Sequence, residues 1–289
     1  MGTYQVYFSL TKPRLTLLAL MTTLLSFFMA SYTGPASQPF NTALLLETLL
    51  ACALIGGGVS ALNQYLERDI DAKMKRTENR PLPRGRILPG SVLFFGIALS
   101  AAGAACLLIF SNKLSFFLGL LTIASYLFFY TPLKPKTSLN TLAGAIPGAL
   151  PCLIGWTSCR GELSPEAWSL FFILFFWQLP HFFAIAWVYR EDYRKGGLRM
   201  LTHSDIDGQS TGKKIMLTSL ILFPFTLYPV WLGLGGLLYL TAAAASGIYF
   251  NVQAANLHRG RMENAKSFVA LSIYYLIALI FSMMADKIV

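Results

Sequence analysis

The chain has 289 residues, 55% apolar and only 12% charged, with 23 Lys and Arg against 13 Asp and Glu and a formal net charge of +10. With a mean hydropathy of +0.56, it falls outside the soluble globular class and among polytopic membrane proteins. No long polar tract divides it, so residues 1–289 read as a single transmembrane domain. Membrane lipid is an expected partner. Nucleic acid is not, because the basic residues are spread as membrane topology requires and form no single patch.

Lys12 and Arg14 precede the first apolar run, which is long and lacks a small-residue cleavage site, so it reads as a span and not a signal peptide. Runs of the length a bilayer needs, about 20 residues, recur at 15–33, 43–65, 89–110, 115–131, 139–158, 166–189, 215–233, 236–257 and 267–286. A bilayer admits only helices or closed barrels, and the short alternating segments of a barrel are absent from the sequence. The predicted fold is therefore all-α, a bundle of nine transmembrane helices. Gly233, Gly235 and Gly236 leave only a short turn between the seventh and eighth spans. With nine spans and the amino terminus inside, 20 of the 23 Lys and Arg fall on the cytoplasmic side, and only Lys113, Arg160 and Lys287 lie outside. Cys52, Cys106, Cys152 and Cys159 match neither a metal spacing nor a disulfide framework and read as packing residues.

Two cytoplasmic loops, 66–90 and 190–214, are long and rich in both signs of charge, as functional loops often are. The first begins with Asn63-Gln-Tyr-Leu-Glu67-Arg-Asp69-Ile-Asp71. On a helix, Asn63, Glu67 and Asp71 fall on one stripe, about 40° apart per step. An amide oxygen and two carboxylates suit a hard divalent cation, and Mg²⁺ completes its shell with water and substrate phosphate. Lys73, Lys75, Arg76, Arg80, Arg84 and Arg86 follow, cations suited to phosphate oxygens. The bland alternative is a solvated loop in which acids and bases pair. The second loop reads Tyr189-Arg-Glu191-Asp192-Tyr193-Arg194-Lys195-Gly196-Gly197-Leu-Arg199, where acids and bases again meet beside a glycine pair that admits an anion close to the backbone. Together the loops predict a metal-diphosphate clamp.

Within the spans, Trp177-Gln178-Leu-Pro180-His181 interrupts the sixth helix, and polar side chains at such depth usually face a cavity. Gln178 and His181 are expected to line a pocket below the second loop. His181 reads as an interior hydrogen-bonded histidine, a ligand to haem iron, or a partner of a haem propionate. Gly144-Ala-Ile-Pro147-Gly148-Ala-Leu-Pro151 suggests close helix packing at the glycines and an irregular, cavity-lining stretch at the prolines. Tyr126, Phe128, Phe129 and Tyr130 read first as an interfacial belt, with a face toward a carbocation as the alternative.

The strings Asn63 to Asp71, Arg76-Thr-Glu-Asn-Arg-Pro-Leu-Pro83, Tyr130-Thr-Pro-Leu-Lys134, Asn140 to Pro151, Trp177 to His181 and Glu191 to Gly197 stand in one order along nearly the whole chain. In them the chain resembles the UbiA-type superfamily of intramembrane polyprenyltransferases, and within it the branch that farnesylates protohaem. The resemblance implies a helical bundle around a central cavity, capped by the two cytoplasmic loops, in a bacterial cytoplasmic membrane. It implies transfer of farnesyl from farnesyl diphosphate to a vinyl group of haem b, with water adding a hydroxyl, to give haem O. Haem b is then a substrate and not a cofactor, and a haem A synthase acting downstream is the implied partner protein. Mg²⁺ is the implied cofactor, bridging the diphosphate to Asn63, Glu67 and Asp71, with Arg76, Arg80, Asp192 and Tyr193 among the substrate-binding residues. One departure stands out. The second motif of the superfamily commonly has two acids four apart, but Lys195 stands four after Glu191 and Gly196 four after Asp192. Lys195, Arg194 or Arg199 is therefore expected to touch the diphosphate directly, with Lys195 counted as catalytic. The competing functions are prenylation of a quinone or chlorophyll precursor, and metabolite transport.

Overall fold

A computed structural model describes residues 2–33, 40–203 and 205–288, and among these residues every regular element is helical. A short α1 (Thr3–Leu10) leads into α2 (Pro13–Tyr32), α3 (Thr42–Leu66) and a single turn, α4 (Arg68–Asp71). After a looping segment come α5 (Pro89–Phe110) and α6 (Lys113–Ala124), which continues through a π-helical turn (Ser125–Tyr130) into α7 (Thr131–Leu133). Then follow α8 (Asn140–Arg160), α9 (Pro165–Val188), the short α10 (Arg190–Lys195), α11 (Gln209–Trp231), α12 (Leu237–His258) and α13 (Ala265–Ile288). Local chemistry sets many of these ends. Proline opens α2, α5 and α9 where its missing N–H costs nothing. The side chains of Asn41 and Asn112 cap α3 and α6. Gly161, at φ +74°, closes α8.

Eight of these helices are long and apolar enough to cross a bilayer: α2, α3, α5, the composite Lys113–Leu133, α8, α9, α11 and the Met262–Lys287 stretch that contains α13. They coincide with eight of the nine runs expected from sequence. The remaining run is also a long helix, α12, packed between α11 and α13. It is less apolar than the others, since Asn251, Gln253 and Asn256 occupy its final turns.

The helices follow one another in an arc, α3 on α5, α5 on α6, α6 on α8, α8 on α9, α9 on α11, then α11, α12 and α13, and α2 bridges its ends against α3, α8 and α13. The expected irregular stretch does not form: α8 stays helical through Pro147 and Pro151, and Thr23 Oγ1 of α2 donates to the carbonyl of Pro151 at 3.1 Å. Close backbone approach rests on Gly58 and Gly103 between α3 and α5, and on Gly155 against the Thr23 backbone. At one end of the bundle lie α1, α4, α10 and the loops 67–88 and 189–208. At the other, Asp286 accepts hydrogen bonds from the backbone N–H of Gly236 and Tyr239 at the start of α12, each at 2.7 Å.

Candidate active site

The acidic stripe forms, but not on one continuous helix. α3 ends at Leu66, Glu67 takes a non-helical cap conformation (φ −97°, ψ 8°), and α4 carries the chain on to Asp71. The four-residue hydrogen bonds persist across the break, from Glu67 N to Asn63 O at 2.9 Å and from Asp71 N to Glu67 O at 2.7 Å. Asn63, Glu67 and Asp71 therefore stay on one side and are all buried.

Each member of the stripe meets a cation. Lys12 Nζ donates to Asn63 Oδ1 at 3.0 Å, Lys134 Nζ lies 2.7 Å from Glu67 Oε1, and Arg80 Nη1 lies 2.6 Å from Asp71 Oδ2. The Lys134 contact is one of charge, since Glu67 Oε1 and Asp71 Oδ1 are buried oxygens without a properly directed hydrogen bond. Lys12 sits at φ +46°, in the left-handed region that a side chain makes costly and that tends to mark functional positions. Burial, then the nearby Arg80 and Lys134, push its ammonium down to about 7, against the pull of Glu67 and Asp71. Burial also raises the Asp71 carboxyl, and Arg80 opposes that shift. Thr131 Oγ1 accepts from Asn63 Nδ2 at 3.3 Å and fixes the amide so that its oxygen faces the cations.

A polar pocket of about 240 Å³ opens over this cluster, lined by Lys12, Asn63, Glu67, Asp71, Arg80 and Lys134 together with Arg76 and Tyr193 from the two loops. The loops are locked to each other. Asp192 Oδ2 accepts from the backbone N–H of Arg76 at 2.9 Å, and the Arg76 guanidinium stacks over Tyr189 and Tyr193 at 4.8 and 5.5 Å. Met74, Ala186, Tyr193 and Leu198 form a small apolar core beneath them. The two charged loops therefore meet over the pocket, with Asp192 serving to bind loop to loop. Glu191, Arg194, Lys195 and Arg199 are exposed and do not line the pocket. Glu191 instead faces Arg190 and Arg194, and the Arg199 backbone N–H donates to the carbonyl of Lys134 at 2.9 Å.

Beneath the polar pocket lies a second space of about 240 Å³, apolar in most of its wall and bounded by α2, α3, α6, α8, α9 and α13. The two share Leu15, Tyr126, Tyr130 and Phe182 as walls, so a polar vestibule and an apolar chamber adjoin across these four residues. Gln178 and His181 line the chamber, as expected. The aromatic run divides: Tyr126 and Tyr130 line both spaces, while Phe128 and Phe129 face outward, 73% and 63% exposed. Gly144 and Gly148, expected to pack helix against helix, instead make room for side chains. A Cβ at Gly144 would meet the Tyr130 ring at 2.6 Å, and one at Gly148 would strike the Gln178 amide.

Whether a divalent cation fits can be judged from the donors. Among the described residues no group of three His, Cys, Asp or Glu could hold a metal by itself. Two carboxylates and one amide are fewer than a protein-only cage needs, but they match the share of Mg²⁺ coordination that protein usually supplies beside water and phosphate. Two buried carboxylate oxygens lacking directed hydrogen bonds are the acceptors such an ion would take. The residues fit. Lys12 and Lys134 were the site residues hidden from sequence reasoning, which took them as topology-setting charges. Their adjacent prolines, Pro13 and Pro135, were the available hint of fixed geometry.

Residues 19–280 match the pattern of the UbiA prenyltransferase family. The chain belongs to that family. As a UbiA-family chain it is 42% identical over 289 residues to the protoheme IX farnesyltransferase of Solibacter usitatus, covering 97% of this chain and 98% of the relative. It is 40% identical to the protoheme IX farnesyltransferase of Myxococcus xanthus, covering 97% and 94%. Among solved structures, the fold of this UbiA-family chain matches a digeranylgeranylglyceryl phosphate synthase with a TM-score of 0.82 at 16% identity, covering 100% of this chain and 99% of that one. It also matches a UbiA homologue from Archaeoglobus fulgidus bound to DMAPP and Mg²⁺, with a TM-score of 0.68 at 16% identity over 95% and 98% of the two chains.

Proposed function

We propose that this UbiA-family chain transfers the farnesyl group of farnesyl diphosphate to a vinyl group of haem b, with water completing the addition to give haem O. The observation that carries the reading is the junction of two spaces: a pocket holding an acid-amide stripe ringed by cations adjoins an apolar chamber across Leu15, Tyr126, Tyr130 and Phe182. An amphiphile with an anionic head and an isoprenoid tail fits that junction. The full-length similarity to protoheme IX farnesyltransferases supports haem as the acceptor.

Breaking the allylic C–O bond leaves negative charge on the departing diphosphate and positive charge on the prenyl carbon. A Mg²⁺ ion held by Asn63, Glu67 and Asp71 would supply Lewis-acid stabilisation of the leaving oxygen. Lys12, Arg80 and Lys134 lie in the same pocket and direct their charge at the phosphate oxygens once these enter. Tyr126 and Tyr130, at the boundary, present aromatic faces where the cation develops. The chamber walls keep bulk water from the cation until the acceptor has reacted.

The distribution of Lys and Arg supports nine spans in a bacterial cytoplasmic membrane with the clamp facing the cytoplasm, where haem O would pass to a haem A synthase. Incubating the purified protein with haem b, farnesyl diphosphate and Mg²⁺, followed by mass spectrometry of the haem, tests the reading. Haem heavier by one farnesyl group and one hydroxyl is the expected product. Unmodified haem, with a quinone precursor prenylated under the same conditions, would overturn the choice of acceptor.

A further inference from the structure

His181 lies in the wall of the apolar chamber and the roles above leave it unused. Its Nδ1 stands 2.6 Å from Ser272 Oγ on α13. The same Ser272 Oγ makes a 2.6 Å hydrogen bond to the carbonyl of Val269. A carbonyl can only accept, so the one hydroxyl hydrogen of Ser272 goes to Val269. The proton between His181 and Ser272 therefore belongs to the imidazole. Nδ1 carries the hydrogen and Nε2 keeps its lone pair. Trp177 holds this arrangement in place, with its ring stacked on the imidazole at 5.1 Å and its Nε1 donating to the carbonyl of Ser272 at 2.6 Å.

Among the described residues Nε2 has no hydrogen-bond partner, and it is not one of the sealed-off buried atoms. The remaining polar lining of the chamber is hydroxyl, amide, indole or phenol. None of these takes up a proton near neutral pH. His181 is thus the one base described in the chamber wall, adjacent in sequence to Phe182, which lines both spaces.

Resting on the reaction proposed above, we propose that His181 is the catalytic base for the hydration half of the reaction. The vinyl π pair forms the new C–C bond to the farnesyl C1, and the C1–O pair leaves on the diphosphate. The positive charge then rests on the vinyl carbon next to the porphyrin ring. A water oxygen bonds to that carbon, and the proton it must shed passes to His181 Nε2. No oxidant or reductant takes part. Without the imidazole to take the proton from water, the cation closes instead by passing a carbon-bound proton to the departed diphosphate and yields an alkene in place of the alcohol.

The test is the product partition of His181→Gln in the detergent-solubilised full chain with haem b, farnesyl diphosphate and Mg²⁺. Diphosphate release continues, while the ratio of hydroxylated product to the product lighter by one water falls by roughly a hundredfold, the usual scale of a lost general base. Ser272→Ala frees the imidazole to change tautomer and shifts the same ratio by a smaller factor; it carries the test alone if His181→Gln does not accumulate in membranes. A wild-type ratio in His181→Gln, or in Ser272→Ala where that variant stands alone, overturns the base. So does loss of an imidazole–iron absorption signature in His181→Gln, since Nε2 would then be occupied by the metal of haem. If the wild-type protein farnesylates no haem, the parent reaction fails and the base fails with it. A wild type that makes the alcohol beside a variant that makes it equally well sinks only the present inference.

Discussion

Lys12, Arg80 and Lys134 each stand against one oxygen of the acid-amide stripe. In the proposed reaction these side chains would exchange their carboxylate and amide partners for phosphate as the diphosphate enters with its metal. Removing a carboxylate charge from the stripe should disable that exchange without unfolding the chain, because the amide keeps the size of the acid it replaces. Glu67→Gln and Asp71→Asn are each expected to lower turnover by orders of magnitude at saturating Mg²⁺, in a chain that still folds but melts at a lower temperature because Lys134 or Arg80 loses its buried partner; wild-type rates would remove both from the metal set. Lys134 and Lys195 separate the geometry seen here from the spacing argument. Lys134 is 13% exposed and inside the pocket, whereas Lys195 is exposed beyond it. A charge-assisted hydrogen bond is worth about 1.5–3 kcal/mol. Lys134→Ala should therefore weaken farnesyl diphosphate binding by roughly ten- to a hundredfold, and Lys195→Ala by much less, as measured by calorimetry. Asn63, Glu67 and Asp71 were legible because a four-residue repeat reports a common face. Lys12 and Lys134 were not, because their partners stand in other helices and no local spacing encodes a contact 51 residues away.

At the scale of elements, the apolar runs gave the long helices within a few residues, since hydrophobic length is what a bilayer selects. The short pieces that build the site escaped. α4, α10 and the π-helical turn are four to six residues long and held by contacts from elsewhere, such as Asp192 on the Arg76 backbone. The role of the glycines in α8 escaped for the same reason, as a small residue does not announce whether a helix or a side chain lies against it. Gly148→Ala is a sharp test. Its methyl group would land on the Gln178 amide, whose Nε2 donates to the carbonyls of Ala145 and Leu174. Overpacking of this kind costs about 1–3 kcal/mol, so a clear drop in melting temperature is expected. Gly161→Ala, in open space but at φ +74°, should cost only the strain of a left-handed backbone. Equal stability of Gly148→Ala and the parent protein would mean that the amide can move aside freely.

For the molecule as a whole, the decisive feature is polarity along one axis. The clamp end gathers most of the cations, and the far end is tied by neutral caps and by Asp286. The proposed orientation in a membrane rests on that imbalance. A cysteine placed at Lys195 in a cysteine-free background should react with an impermeant thiol reagent only in inside-out vesicles, and one placed at Lys113 only in right-side-out vesicles. Labelling of both positions from the same side would break the proposed topology.

The π-helical turn at Ser125–Tyr130 carries a consequence for how this chain can change length. Tyr126, Tyr130 and Lys134 face one pocket across that turn, and Thr131, just after it, holds Asn63. A π-turn is an α-helix with one residue too many. Substitutions there leave the phase of the helix intact. Relaxing the turn to ordinary α pitch with all its residues kept would swing everything on one side by about 100°, carrying Lys134 away from Glu67. Deleting one residue would instead take out the surplus and leave the phase nearly as it is. The turn thus acts as a phase setting between chamber and clamp, absorbing one surplus residue so that the two stay aligned.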